Sequence, residues 1–437
     1  MKETISIREF ARYIGLSTLG AVGISCYILA DTFFISVGMG TDGLAALNIA
    51  IPIYNFIWGI AVMLGMGGAT RYTIARSRGE YEQGDRIFSV VIAVTVAFST
   101  VFALVGIFGA EKVAALLGAN EEILAMTTEY MRVILLFAPA FALNQVFTCF
   151  VRNDGEPNLA MLGTLIGSLA NILLDYIFII IWDMGMFGAA AATSCSPVIG
   201  MAIMWRHKAS GNNQFHLTKD MSDFRKLGHT CALGIPSLAT ELSSGIVVIV
   251  FNMILLNIAG NVAVAAYGVI ANISLVVISV FNGMSQGVQP LMSRAYGHGN
   301  KHDTAALLKY SLAACSAVAV IIYVLIFMGA DTITAVFNSE NNQQMAVIAV
   351  PGLKIYFTAA IFAGFNIIMQ IHFTSMEKAL PGQVISLLRG LIIIIPAAFL
   401  LSDILGLTGV WLAFPVTEAA VAVVGVFMFM YFKRRKK

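Results

Sequence analysis

The chain has 437 residues, 59% of them hydrophobic and 11% charged, with a net charge of +2. Soluble domains carry about 25% charged residues, so the composition excludes an ordinary water-soluble domain and points to an integral membrane protein. The charges fall in short loops, and nothing in their balance suggests nucleic-acid binding.

The N-terminus, Met1-Lys-Glu-Thr-Ile-Ser-Ile-Arg-Glu-Phe-Ala-Arg-Tyr13, is charged and leads straight into a full-length apolar span. It has no short apolar stretch ending in a small-residue cleavage site, so no removable signal peptide is expected. A spanning helix needs about 20 apolar residues. Twelve spans are predicted, at 13–36, 44–70, 87–109, 131–151, 158–181, 186–205, 229–258, 262–289, 306–329, 351–374, 381–401 and 408–432. Short separators such as Gly38-Met-Gly-Thr-Asp42 and Asn153-Asp-Gly-Glu-Pro157 divide them. An even number places both termini on one side.

Arginine and lysine identify that side. Lys2, Arg8, Arg12, Arg71, Arg76, Arg78, Arg86, Arg152, Arg206, Lys208, Lys219, Arg225, Lys226, Arg294, Lys301, Lys309, Lys378, Arg389 and the tail Lys433-Arg-Arg-Lys-Lys437 all belong to one set of loops. The opposite set holds Lys112, Arg132 and Lys354. The asymmetry predicts cytoplasmic termini, with the tail as a topology anchor that anionic lipid assists.

The longest internal loop, from about Arg206 to Lys226, splits the spans six and six. The expected organisation is an N-lobe at 1–205, a linker at 206–228 and a C-lobe at 229–437. An offset of 220 sets Gly40 on Gly260, Ala45-Ala46 on Ala265-Ala266, Ile53 on Ile273, Gly67 on Gly287, Ala75 on Ala295 and Gly79 on Gly299. An offset of 222 sets Asn144 on Asn366, and 221 sets Gly188 on Gly409. The fold class expected is all-α and polytopic, with two pseudo-symmetric six-helix lobes related by an axis along the membrane normal.

Acids inside the spans are the candidates for chemistry. They are Asp31 in span 1, Asp175 in span 5, Glu241 in span 7 and Glu418 in span 12. A charged residue at the centre of a span costs roughly 2.5–3.5 kcal/mol on insertion scales, so each needs a reason to be there. Asn171 lies four residues before Asp175, on the same helix face. Asp31 and Asp175 stand at similar depth in the outer half of the first bundle, and none of the four acids has an obvious lysine or arginine in its own span. They are candidate proton carriers, or cation ligands together with Asn171, Asn144 and Thr193. Glu241, Glu418, Gln286, Asn366 and Gln370 form a second candidate set, for the substrate cavity. The blander reading makes Asn144, Asn366 and Gln370 interhelical hydrogen-bond glue.

The prolines within or near spans, Pro52, Pro139, Pro197, Pro236, Pro290, Pro396 and Pro415, free backbone carbonyls where a cavity or neighbour satisfies them. No two of the six histidines form a metal couple within a span, and the five cysteines are scattered singly. A phosphate-binding glycine loop is absent, so an ion or substrate gradient must supply the energy.

Several motifs resemble those of the multidrug and toxic compound extrusion (MATE) family. These are Ala30-Asp31-Thr-Phe-Phe-Ile-Ser36 in the first span, Val151-Arg152-Asn-Asp-Gly155-Glu-Pro157 after the fourth, and Gly234-Ile-Pro236 with Glu241 in the seventh. The fourth is Gly283-Met-Ser-Gln286-Gly287-Val-Gln289-Pro290 with Arg294-Ala-Tyr-Gly297-His-Gly-Asn300. The resemblance implies two lobes in a V, alternating between outward- and inward-open states, in a bacterial inner-membrane antiporter that is not an enzyme. It implies H+ or Na+ as coupling ion with no other cofactor, amphipathic cationic substrates, contact with membrane lipid and a monomer. Carried over, the N-lobe cation site is Asp31, Asn144, Asn171, Asp175 and Thr193, similar to the DinF-like branch, with any Na+ at Asp31, Asn171 and Asp175. Glu241 matches an acid of the NorM-like and eukaryotic branches. Leu16 stands where many members have a helix-bending proline, so a bend in span 1 would fall to Gly15 and Gly20. The alternatives are a flippase for lipid-linked oligosaccharide or another amphiphile, which wants a basic cavity, and an intramembrane aspartyl hydrolase using Asp31 and Asp175.

Overall fold

The computed structural model describes residues 5–209, 211–337 and 342–434; Lys2 and the last three residues of the basic tail lie outside the described residues. Most of those described are helical, and none lies in a strand. The first helix, α1 (Ile7–Ser77), begins at Ser6, whose hydroxyl accepts the Glu9 N–H at 3.1 Å, and has 71 residues. At about 1.5 Å per residue a straight helix of that size would reach about 107 Å, far beyond the ~30 Å hydrocarbon core. It folds back at Gly40, where φ is 64° and ψ −148°. Tyr27 and Tyr54, nearly equidistant from that corner, bring their hydroxyls within 3.2 Å. A side chain in that conformation would be strained, so one glycine replaces a loop between spans 1 and 2.

The helices α2 (Tyr81–Leu116), α3 (Leu124–Leu136), α4 (Ala138–Asn153), α5 (Pro157–Asp175) and α6 (Gly185–Ala209) complete the first half. Of these, α3 and α4 form one span bent by 47°, with Pro139 in the first turn of α4. Span 5 continues from α5 into a π-helical turn, Tyr176–Ile181.

The second half repeats this plan. The 71-residue α7 (Leu227–Gly297) breaks at Ala259 and at Gly260, where φ is 68° and ψ −160°. Phe251 and Tyr267, on either side of the break, stack at 5.2 Å. Next come α8 (Lys301–Phe337), α9 (Gln343–Tyr356), a 3-10 turn at Phe357–Ala359 and α10 (Ala360–Ser375). Span 11 is α11 (Ala379–Leu387), a π turn (Leu388–Ile392) and α12 (Ile394–Leu405); α13 (Leu407–Arg434) is span 12. Among the described residues, twelve crossings result once α1 and α7 are each counted twice and each interrupted helix once. The offsets reappear as backbone geometry: positive φ recurs at Gly40 and Gly260, at Gly79 and Gly299, and at Gly185 and Gly406.

Ends differ from expectation. Span 10 begins earlier, at Gln343, and α2 and α8 extend past spans 3 and 9 at both ends. Span 1 is helical up to Gly40, without the bend considered for Gly15 and Gly20. The stretch from 211 to 226 is a docked strap. Phe215 is buried among Tyr72, Phe88 and Phe150, with its ring centre 4.6 Å from that of Phe88. Asp154 receives Tyr72 Oη at 2.5 Å and the Gln214 N–H at 2.8 Å, and pairs with His207 Nε2 at 2.7 Å. Arg71 is buried, holding both oxygens of Asp223 at 2.7 and 2.8 Å and Thr230 Oγ1 at 2.7 Å. On the strap, donation from Ser222 and the nearby Arg86 hold the Asp220 carboxyl below its usual range.

Hydrophobic cores separate by half. One cluster runs from Phe251 to Val421 and also recruits Phe10, Tyr13 and Ile14 from the first span. Two others are built from the first half, with Ile371 added. Large apolar side chains such as Phe108, Met328 and Val423 point outward, as expected where the surroundings are acyl chains rather than water.

Candidate functional site

Five elements meet around Asp175. Asn171 and Asp175 are one turn apart at the end of α5, and both are fully buried. Asp31 comes from the first limb of α1 and Thr193 from α6, at 7% and 5% exposure. With its amide oriented to satisfy both ends, Asn171 donates Nδ2 to Asp175 Oδ2 at 3.2 Å and accepts the Thr193 N–H at 3.1 Å. Asp31 is within electrostatic reach of Asp175, and Tyr27 and Tyr130 are within reach of both. Directly after Asp175 the helix widens into its π turn, a distortion frequent at functional sites.

Both aspartates keep a buried oxygen, Oδ1, without a hydrogen-bond partner, and so does Asn144. Buried polar atoms are nearly always paired, so two orphaned carboxylate oxygens within electrostatic reach of each other are what a small cation or a proton would satisfy. Asn144 and Thr193 line a cavity of about 30 Å³ with Tyr27, Tyr54 and Ser168. That volume holds about two waters; an organic substrate cannot enter it. The donors are carboxylate, amide and hydroxyl oxygens, a set suited to a hard cation such as Na+. Among the described residues no group of three His, Cys, Asp or Glu forms a transition-metal site.

Four of the five first-half residues singled out in the sequence, Asp31, Asn171, Asp175 and Thr193, therefore come together, and Asn144 adjoins them only through the cavity it lines with Thr193. Sequence reasoning missed Tyr27 and Tyr130. Tyr27 lies one turn before Asp31, a signal that was available. Tyr130 falls one residue before the expected start of span 4 and reaches the site because α3 begins at Leu124.

The second candidate set disperses. Glu418 on α13 is 1% exposed and bound on one oxygen by Arg389, with Nε at 3.0 Å and Nη2 at 2.7 Å. Its other oxygen takes Asn366 Nδ2 at 2.7 Å. Arg389, counted from sequence as a loop cation, sits instead in the π turn between α11 and α12. The expected span of Glu418 holds no lysine or arginine of its own, and the partner arrives from a neighbouring span. Gln370 is one turn beyond Asn366, with a buried oxygen lacking a partner. Gln286 lies outside any acidic cavity: its Oε1 accepts Arg152 Nη1 at 2.9 Å. Of the acids in this set, Glu241 is the one that faces the first half across the seam. It lies beside Gly59 of α1, within electrostatic reach of Tyr54, which stacks on Trp58.

The end of the bundle that carries the termini is closed. Asn153 Nδ2 donates to Gln289 Oε1 at 2.8 Å, and Gln289 Nε2 to Thr70 Oγ1 at 3.0 Å. Arg294 pairs with Glu9 at 2.5 Å. The helices touch backbone to backbone here. A Cβ on Gly287 would stand 2.6 Å from the Tyr13 carbonyl oxygen, and one on Gly67 would collide with the Thr230 carbonyl. Two motifs separated by about 130 residues, around Arg152 and around Gln286, thus form one latch.

Comparison with known proteins places these features. The MatE family model matches residues 17–177 and 236–400. The multidrug export protein MepA of Staphylococcus aureus (strain MRSA252) is 24% identical over 398 residues, covering 91% of this chain and 87% of its own. A solved structure described as the outward-facing conformation of a multidrug resistance MATE family transporter of the MOP superfamily superposes with a TM-score of 0.90 at 23% identity. It covers 98% of this chain and 95% of its own. A MATE structure in the straight conformation gives 0.90 at 22% identity, with the same coverages.

Proposed function

The chain belongs to the MATE family, and on that premise we propose that it is a multidrug export carrier of a bacterial plasma membrane, with H+ or Na+ as its coupling ion. The observation that carries this reading is the Asp31–Asn171–Asp175–Thr193 cluster, buried yet left with unpaired carboxylate oxygens.

The end bearing the termini is taken as cytoplasmic, on the arginine and lysine bias. A carrier latched at that end offers its far end to the outside. Protons or Na+ arriving there neutralise Asp31 and Asp175, and a lobe without net charge holds a cationic substrate less well. The ion drives transport because it binds the two states unequally. Glu241, with Tyr54 and Trp58 across the seam, supplies a carboxylate and aromatic faces, which suit small, flat amphipathic cations. The reading makes the protein a transporter without catalytic residues, working as a monomer in lipid. The flippase alternative is disfavoured because Arg389 is tied to Glu418 and unavailable to a pyrophosphate.

The test is ethidium efflux from proteoliposomes under a proton or a sodium gradient imposed separately. Efflux is expected under one of them, and Asp175→Asn should abolish it without loss of expression. Wild-type rates in that variant would sink the coupling site, and no efflux under either gradient would favour the flippase.

A further inference from the structure

The cavity of the first half and the ion pair of the second occupy the same place in the repeat. Asn144 corresponds to Asn366 at an offset of 222. Offsets of 221 to 222 set Arg389 against Gly167 and Ser168, and Glu418 against Ser196 and Pro197. Asn144, Ser168, Ser196 and Pro197 all line the first-half cavity of about 30 Å³, and Gly167 packs directly on Ser196. The facing helices correspond as well, with the contact displaced by one turn: Asn144 lies against Gly200 of α6, and Asn366 against Glu418 of α13. Where the first half has a small cavity lined by hydroxyl and amide groups, the second has a guanidinium on a carboxylate.

From this correspondence we propose that Arg389 is a tethered cation, filling permanently in the second half the place that the first half leaves open to a mobile one, so that the carrier has a single coupling site. The proposal rests on the reading of the first-half cluster as the cation site. An arginine cannot shed its proton in a protein, and both of its bonds go to one Glu418 oxygen while Asn366 holds the other. The pair therefore neither gains nor loses charge during a cycle. Asn366, which holds the carboxylate through Nδ2, has its own Oδ1 buried without a partner. With the guanidinium removed, that oxygen and the freed carboxylate are left to a proton or a small cation. Tyr356 of α9 is a further titratable group within electrostatic reach of Glu418.

Infrared difference spectroscopy of the full-length protein in lipid, titrated with NaCl and separately with acid, counts the carboxyl groups that respond. Wild type should give a response that Asp175→Asn removes and Glu418→Gln leaves unchanged. Arg389→Gln should add one carboxyl equivalent, and Arg389→Gln combined with Glu418→Gln should remove it again. Arg389→Lys, which keeps a tethered cation, should add nothing. No added equivalent in a folded Arg389→Gln protein would overturn the proposal and leave the first-half site standing. An added equivalent, with a wild-type protein that lacks the Asp175-dependent response, would uphold the tethered cation and sink the coupling site instead. Should Arg389→Gln not fold, the double variant, which strands no charge, decides: a wild-type carboxyl response that persists in Asp175→Asn and is lost when Arg389→Gln and Glu418→Gln are combined overturns the proposal.

Discussion

Gln289 joins the halves by holding two residues of the first half at once, accepting from Asn153 at 2.8 Å and donating to Thr70 at 3.0 Å. All three side chains lie where helices of both halves converge. Leaving a buried donor or acceptor without its partner costs about 1–3 kcal/mol, and here that cost falls on the latched state alone. Gln289→Ala should therefore depopulate it by about 5- to 150-fold relative to the opposite state. Distances between spin labels on the two halves at the terminus-bearing end will report it, and an unchanged distribution would show that the latch does not hold the state.

Gly67 and Gly287 make a different prediction. Alanine improves an isolated helix by roughly 1 kcal/mol over glycine, so Gly287→Ala should express and fold. Its methyl would stand 2.6 Å from the Tyr13 carbonyl oxygen, so the seam cannot close. Efflux should fall at least about tenfold, the equivalent of ~1.4 kcal/mol, while the melting temperature holds. Loss of folding instead would show that the seam is needed for assembly.

Thr193 and Asn144 line the small cavity. Neither carries charge, and one neutral hydrogen-bonding group contributes about 0.5–1.5 kcal/mol. Thr193→Val and Asn144→Leu should each weaken coupling-ion affinity by up to about tenfold without abolishing exchange. A shift in the ion concentration giving half-maximal efflux is the readout, and full inactivation by Thr193→Val would contradict a purely neutral contribution.

The Arg389–Glu418 pair is asymmetric to mutation. Breaking a buried pair costs about 3–5 kcal/mol when a charge is stranded. Glu418→Ala strands a guanidinium that cannot be neutralised, whereas Arg389→Gln leaves a carboxylate able to take up a proton or cation. Glu418→Ala should be the less stable of the two in thermal unfolding at neutral pH. The reverse order would mean that the guanidinium finds another partner.

The strap yields a stability prediction too. Phe215 fills an aromatic pocket between α1, α2 and α4, and Phe→Ala in a packed core costs about 3–5 kcal/mol. Phe215→Ala should lower the melting temperature and open the strap to protease near residue 215. A protease-resistant strap in that variant would show that the Asp154 and Arg71 contacts suffice.

The repeat was legible because glycines mark corners: Gly40 and Gly260 stand 220 residues apart and share one left-handed conformation. The buried cluster of the first half was legible because Asn171 and Asp175 sit one turn apart in an otherwise apolar span. Arg389 was misread because the sign of a loop is counted along the sequence, whereas neutralisation of Glu418 happens across helices. The strap was missed for a related reason. A polar stretch with Gly211-Asn-Asn-Gln reads as linker, and the single Phe215 that anchors it has no periodicity to reveal its burial.

Gly67 packs on Thr230 and Gly234, and Gly287 packs on Tyr13 and Ile14. Subtracting the repeat offset from the first pair of partners leads to Phe10 and Ile14, so the two contacts are one contact made twice with roles exchanged. Each half thus presents a surface and receives its copy, which is the geometry of an isologous two-fold dimer. A half-length ancestor with both surfaces would have been self-complementary.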